Sequence, residues 1–190
     1  MSDMAFEYKL REFTVEEYHR MAEVGVLRDD ERVELLDGAI VEMSPIGTRH
    51  WDRHAEIVRY LNATLGTRAR IVGQGSFPLG RKNEPQPDVG VLAPRSYTGR
   101  GAEPDEIYAV VELADSSLRK DTGPKLRLYA RFGIPDYLVV DLECDTLTHY
   151  DDPHELGYRG ERRLTRDDTF VLRRIADVTL SGAPFLSTTR

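Results

Sequence analysis

The chain has 190 residues, a mass of 21.6 kDa and a formal net charge of −7 at pH 7. This length is typical of one domain, and we predict a single domain over residues 1–190. Apolar residues recur along the whole length, which excludes a disordered chain. With 26 basic against 33 acidic residues, the composition also excludes a protein that coats nucleic acid through bulk positive charge.

The expected compartment follows from what the sequence lacks. The single cysteine, Cys144, cannot form a disulfide within the chain, which favours a reducing environment. Residues 1–10 lack the apolar run of a signal peptide, and no window approaches the ~20 apolar residues of a membrane span. We therefore expect a cytoplasmic protein without membrane contacts.

The first predicted element is a helix. Thr14 is followed three residues later by Glu17, which is the spacing of a capping box. The helix is predicted to run to Val24, and Gly25 stands where a left-handed residue commonly ends a helix. This helix carries no recognisable chemistry.

Two more elements are predicted before residue 70. Asp37-Gly38 between two apolar runs is typical of a type I′ hairpin turn, so strands are predicted at about 32–36 and 39–43. Residues 49–65 carry apolar side chains at spacings of three and four, which predicts a helix that Gly66 ends.

The second half is predicted to combine several strands with one helix. The apolar run from Ile107 to Leu113 is typical of a central strand covered on both faces. A helix begins at the latest at Pro124 and ends at Gly133. Because strand, helix and strand form a crossover unit here, we expect the two strands to pair in parallel. The other predicted elements are strands over Ile71–Leu79, Pro87–Leu92 and Asp136–Asp141, a loop over Arg95–Asp105, and short meandering strands and turns from Thr146 onward.

Two acidic residues stand out within apolar strands. Glu112 ends the central apolar run, where an isolated carboxylate is costly to bury, and Asp88 begins another short apolar strand. Two such acids would repel each other without a cation, and Mg²⁺ prefers carboxylate oxygens completed by water and substrate phosphates. Lys125, in what is predicted as the first turn of the following helix, is placed to reach back and stabilise transition-state charge.

These residues belong to a longer ordered series of motifs that covers about residues 13–150. The series comprises Glu34-Leu35-Leu36-Asp37-Gly38, Met43-Ser44-Pro45, His50, Pro87-Asp88, Val111-Glu112-Leu113-Ala114, Ser117, Asp121, Lys125, Tyr129 and Asp136–Asp141. In this order the motifs resemble a bacterial family of restriction endonucleases within the PD-(D/E)XK nuclease superfamily.

The resemblance implies an α/β fold with a restriction-endonuclease-like mixed central β-sheet flanked by helices. It implies that Asp88 and Glu112 are metal ligands, with Glu34 as a third acidic residue, for Mg²⁺ or Mn²⁺. The superfamily usually places its lysine two residues after the acid, where this chain has Ala114, so the active-site lysine is expected to be Lys125. Residues 151–190 would form a C-terminal extension of strands and turns.

Structural interpretations of the same residues remain open at this point. Glu112 and Lys125 can form a buried ion pair with no chemical role, and Asp88 can be a turn residue. Through the resemblance, His50 and Tyr129 are placed at the rim of the site, although a tyrosine one turn after Lys125 is also typical of a core face.

We therefore predict metal-dependent phosphodiester hydrolysis, with DNA as the partner. Asp88, Glu112 and Glu34 would hold the ion, and Lys125 would position the attacking water. Two alternatives are a non-catalytic nucleic-acid-binding or regulatory module on the same fold, and a phosphodiesterase acting on RNA or nucleotides. A homodimer is expected if both strands of a duplex are cut, since that requires two sites.

Overall fold

A six-stranded mixed β-sheet forms the centre of the protein in a computed structural model, which describes residues 10–28 and 30–187. The strands of the described residues are β1 (Val33–Leu36), β2 (Ala39–Glu42), β3 (Arg70–Gly73), β4 (Val89–Leu92), β5 (Ile107–Ala114), β6 (Asp136–Asp141), β7 (Thr146–His154), β8 (Gly157–Leu164), β9 (Thr169–Leu172) and β10 (Ile175–Ser181). The α-helices are α1 (Val15–Glu23), α2 (Thr48–Leu65), α3 (Leu118–Lys120) and α4 (Leu126–Arg131).

The strand order of the central sheet is β3-β4-β5-β6-β7-β8. Strands β5 and β6 pair in parallel, as the crossover between them predicts, and every other neighbouring pair is antiparallel. Two separate hairpins, β1–β2 and β9–β10, complete the strands of the described chain. The predicted mixed sheet flanked by helices is therefore confirmed. Within the described residues, no helix is long and apolar enough to cross a membrane.

Strand β5 separates two apolar layers, because its side chains alternate between the sheet's faces. Val111 and Leu113 join the layer that contains α2 and the β9–β10 hairpin. Val110 and Ala114 join the layer beneath α4. Glu112 lies two residues from both Val110 and Ala114 along β5. Alternate residues of a strand share a face, so the carboxylate of Glu112 projects to the α4 side of the sheet.

Helix α1 and the first hairpin match the predictions closely. Thr14 accepts a hydrogen bond from the Glu17 amide, and the Glu17 side chain accepts one from the Thr14 amide, which completes the capping box. Asp37 and Gly38 have φ values of 47° and 78°, as a type I′ turn requires. The hairpin is joined to the loop before β4 by a bridge between Leu35 and Glu84, which brings β1 beside the sheet.

Two predicted elements differ from the structure in their extent. The strand predicted over Ile71–Leu79 ends at Gly73, since Gln74 adopts a positive φ of 51° that breaks the extended backbone. The segment after Thr146 is not a set of short strands: β7 and β8 have nine and eight residues and extend the central sheet. The predicted start of the C-terminal extension, residue 151, therefore falls inside β7.

The crossover helix begins at Leu118, within the predicted limit, but Pro124 lies in its interior and not in its first turn. Proline lacks an amide hydrogen and cannot continue the α-helical ladder. The helix accommodates it with a π turn over Asp121–Lys125, and α4 follows directly. Lys125 therefore lies at the end of the π turn and not in a first helical turn.

Candidate active site

Asp88 immediately precedes β4, and Glu112 lies on the neighbouring antiparallel strand β5. Val89 pairs with Val111, so the next position in register places Asp88 across from Glu112 on the α4 side of the sheet. The Leu113 amide donates a 2.8 Å hydrogen bond to Oδ2 of Asp88. Both acids are more than nine-tenths buried, and both line the same pocket.

Lys125 occupies the space between two of the acids. Its Nζ lies 2.6 Å from Oε1 of Glu112 and 3.1 Å from Oε2 of Glu34, and its side chain is only 2% exposed. The π turn and the start of α4 direct this side chain back to the sheet. The structure thus brings Lys125 to Glu112, whereas Ala114, two residues after Glu112, packs in the apolar layer.

Glu34 reaches this cluster from the first hairpin. It is fully buried, with Oε1 2.8 Å from Nζ of Lys120. Its other oxygen, Oε2, accepts a 3.2 Å hydrogen bond from the Gln86 amide in addition to the contact with Lys125. Both oxygens of Glu34 are therefore engaged with protein donors, whereas every hydrogen bond and ion pair of Glu112 in the described chain uses Oε1.

His50 lies beside Asp88. Its Nε2 is 3.1 Å from Oδ1 of Asp88, whereas its Nδ1 has no hydrogen-bond partner among the described residues despite its burial. Burial alone would lower the pKa of His50, but the hydrogen bond and attraction of Asp88 outweigh burial and raise it. The Nε2 of His54, one turn later, lies 3.0 Å from the backbone carbonyl oxygen of Asp88.

Tyr129 lies beneath the cluster and not at its rim. It is fully buried, and its hydroxyl donates a 3.0 Å hydrogen bond to Oε1 of Glu112. Burial raises the pKa of this hydroxyl well above its usual range, so it acts as a neutral donor. Tyr129 and Lys125 together fix one oxygen of Glu112.

Two residues of the pocket lie outside the predicted set of metal ligands and active-site lysine, although Arg119-Lys120 can be recognised in the sequence as a basic run able to hold phosphate if it flanks the acids. Asp121 is 2% exposed, and one of its oxygens accepts a 2.5 Å hydrogen bond from Ser117. Lys120 bonds Glu34 across the pocket. The spacing of four between Asp121 and Lys125 was the available signal, because it places both side chains on one side of a helix. The pocket is lined by Arg32, Met43, Ser44, Pro45, Ile46, His50, Asp88, Glu112, Leu113, Asp115, Ser116, Ser117, Lys120, Asp121 and Lys125.

The buried charges of the cluster do not balance. Burial raises the pKa of Glu112 well above its usual range, and the nearby Asp121 and Asp88 add to this effect against the attraction of Lys125. Burial also raises the pKa of Asp121. For Glu34, burial acts in the same direction, but Lys125 and Lys120 outweigh it and lower the pKa. Four carboxylates thus share two ammonium groups.

The donor set fits a divalent cation held by two carboxylates, and it does not form a complete cage. Among residues 10–28 and 30–187, no group of three or more histidine, cysteine, aspartate or glutamate side chains is close enough to bind one ion. Mg²⁺ is commonly held by one or two carboxylates, with water and substrate phosphates in the remaining positions. The excess of carboxyl groups over lysines and the unengaged Oε2 of Glu112 suit this type of site.

The sequence contains two groups of basic residues, one within 119–131 and one within 162–174, and these residues do not all converge on the pocket. Lys120 and Lys125 line it, whereas Arg131 contacts Asp37 at the first hairpin turn. Arg162 contacts the buried His149 on β7. The second basic group of the sequence therefore belongs at least in part to the sheet and not to the pocket.

Comparison with known proteins identifies the family. A search of curated proteins returns no match. A crystal structure of a "putative nuclease" from Anabaena variabilis superposes with a TM-score of 0.71 at 16% sequence identity, over 91% of this chain and 97% of that one. This likeness supports the fold alone. The sequence model of the Uma2 family, described as "Putative restriction endonuclease", matches residues 15–183, and the chain therefore belongs to the Uma2 family.

Proposed function

We propose that this protein is a metal-dependent phosphodiester hydrolase that cleaves DNA. Membership of a family described as restriction endonucleases supports a nuclease. The observation that carries the proposal is the presence of Asp88 and Glu112 in one pocket, with the buried Lys125 against Glu112. A purely structural ion pair needs one carboxylate for each lysine, whereas this cluster holds an excess of acids.

Each residue has a distinct part in the proposed reaction. Asp88 and Glu112 would hold Mg²⁺ or Mn²⁺, and Glu34 would be the accessory acid of the site. When bound, the metal supplies a Lewis acid that stabilises charge on a phosphoryl oxygen and activates water. Lys125, with one ammonium hydrogen not used by Glu34 or Glu112, would orient the attacking water. Tyr129 keeps Oε1 of Glu112 in place, so that Oε2 remains available.

The second candidate function is a non-catalytic nucleic-acid-binding or regulatory module. The double ion pair of Lys125 with Glu34 and Glu112 favours it, because such a buried network is self-sufficient as a structural element. Metal binding discriminates between the two functions. A metal-dependent hydrolase must bind an ion through the unengaged oxygen of Glu112, whereas a non-catalytic module requires no ion there.

The first experiment is calorimetric titration of Mn²⁺ and Mg²⁺ into the wild type, Glu112→Gln and Asp88→Asn. Asp177→Asn is the matched control, because Asp177 is an exposed carboxylate paired with Arg68. Saturable binding that is lost in the two site variants and kept in the control supports the proposal. Failure of both ions to bind the wild type would favour the non-catalytic module.

Cleavage assays then identify the substrate. Duplex DNA, single-stranded DNA and RNA compete in one reaction with Mn²⁺, and preferential loss of DNA supports the DNA endonuclease. Preferential loss of RNA would instead support the RNA phosphodiesterase. We further propose a homodimer for cleavage of both strands, which sedimentation of the wild type in the presence of a duplex tests directly.

A further inference from the structure

The two lysines of the pocket differ in how freely they can move. The side chain of Lys125 is 2% exposed and its ammonium contacts two carboxylates, whereas the side chain of Lys120 is 22% exposed and contacts one. A partly exposed ammonium on a flexible stem exchanges partners readily, since water solvates it during the exchange. Lys125 is fixed in the interior, and Lys120 is available at the pocket surface.

The contacts of Glu34 allow Lys120 to leave it. When Lys120 turns away, Glu34 keeps its ion pair with Lys125 and its hydrogen bond from the Gln86 amide. The buried carboxylate therefore remains compensated, and the movement does not create an isolated buried charge. The ion pair between Lys120 and Glu34 can thus serve as a resting position for the lysine.

An anionic substrate needs such a cation at this pocket. Asp88, Glu112 and Asp121 all line the pocket and repel a phosphodiester. Arg32 is another exposed cation of the pocket lining. Its guanidinium donates a hydrogen bond to the Ser44 carbonyl in the segment Met43–Ile46, which forms one edge of the pocket. Lys120 is placed among the acids themselves.

We propose that Lys120 leaves Glu34 and binds a phosphate oxygen of the nucleic-acid substrate. This inference rests on the proposed function, and it adds a substrate-contacting residue to Asp88, Glu112 and Lys125. It divides two tasks between the lysines: Lys125 keeps Glu112 and the water in place, and Lys120 holds the substrate. The ligand class is a phosphodiester, recognised by charge and not by base identity.

The test measures binding of a fluorescent DNA duplex by anisotropy, in Ca²⁺ to separate binding from cleavage. Lys120→Met and Lys120→Gln are compared with Lys120→Arg, which keeps the charge. Arg68→Met is the control, because Arg68 is also a cation in an ion pair. Arg68 lies just after the C-terminal end of α2, whereas the pocket lies near the N-terminal end of that helix. The 15 helical steps from His50 at the pocket to Leu65 at the end of α2 span roughly 23 Å, so Arg68 is distant from the pocket.

We expect Lys120→Met and Lys120→Gln to weaken binding about tenfold, as loss of one charge-assisted contact predicts. The dependence of log affinity on log salt concentration should fall by about 0.9, the contribution of one phosphate contact. Lys120→Arg and Arg68→Met should bind like the wild type. Melting temperatures of all variants identify any that fail to fold, and Lys120→Gln and Lys120→Arg decide the result if the methionine variant does.

The outcomes separate this inference from the proposed function. If the wild type binds no nucleic acid, the proposed function itself is wrong. If the wild type binds and the uncharged Lys120 variants bind equally well with an unchanged salt dependence, the assignment of Lys120 is overturned. A loss of binding shared by Lys120→Arg would also overturn it, because that loss does not follow the charge.

Discussion

Replacement of Lys125 by methionine tests whether the buried cluster depends on one ammonium group. Methionine retains most of the side-chain volume and removes the charge. Glu34 and Glu112 would then remain buried, Glu34 with Lys120 and the Gln86 amide, and Glu112 with the Tyr129 hydroxyl alone. Loss of one partner from a buried ion pair costs about 3–5 kcal/mol, so we expect a decrease of this size in the free energy of unfolding.

The decrease should depend on pH, because Glu112 can relieve it by binding a proton. The pKa of Glu112 in the folded protein lies above its ordinary value of 4.5 even with Lys125 present. The folded variant therefore binds more protons than the unfolded chain above pH 4.5, and its stability falls as the pH rises. Each unit of additional pKa shift contributes about 1.4 kcal/mol to this dependence. The loss should be larger at pH 8 than at pH 5.

Urea denaturation between pH 5 and pH 8 measures both effects. Lys82→Met is the control, since Lys82 forms an exposed ion pair with Glu12 that should contribute no more than about 1 kcal/mol. The double variant Lys125→Met/Glu112→Gln should regain part of the lost stability and lose the pH dependence, because the unpaired charge is gone. A loss below about 1 kcal/mol for Lys125→Met, or one that does not change with pH, would refute the reasoning.

Two further predictions concern single contacts. Tyr129→Phe should lower the free energy of unfolding by about 1–3 kcal/mol, because the buried Glu112 loses a hydrogen-bond donor; urea denaturation measures it, and an unchanged midpoint would contradict the contact. Glu106→Gln should reduce sensitivity to acid: Arg100, with the backbone at Glu103, lowers the pKa of Glu106 to about 2 from an ordinary 4.5, so its stabilisation is lost as the pH falls from 4.5 toward 2. Thermal melts across that range should be flatter for the variant than for the wild type.

Much of the fold could be predicted from the sequence because it depends on local or periodic signals. The capping box at Thr14, the type I′ turn at Asp37-Gly38 and the buried strand 107–114 each follow from short-range chemistry, and the structure confirms all three. The predicted element boundaries were wrong where contacts between distant parts of the chain determine the backbone conformation. Gln74 ends β3 with a positive φ, and Pro124 is tolerated inside a helix through a π turn.

The sequence by itself determined which residues are anomalous, since a carboxylate within an apolar strand is costly wherever it lies. Glu112 and Asp88 could be recognised on that ground. Glu34 was named as a third acid only through the family resemblance, because the contacts of Glu34 depend on how the first hairpin docks against the segment that contains Gln86, 52 residues later. Only the tertiary structure distinguished the buried Lys125 from the partly exposed Lys120, because exposure is set by packing between distant segments and not by the chain around each lysine.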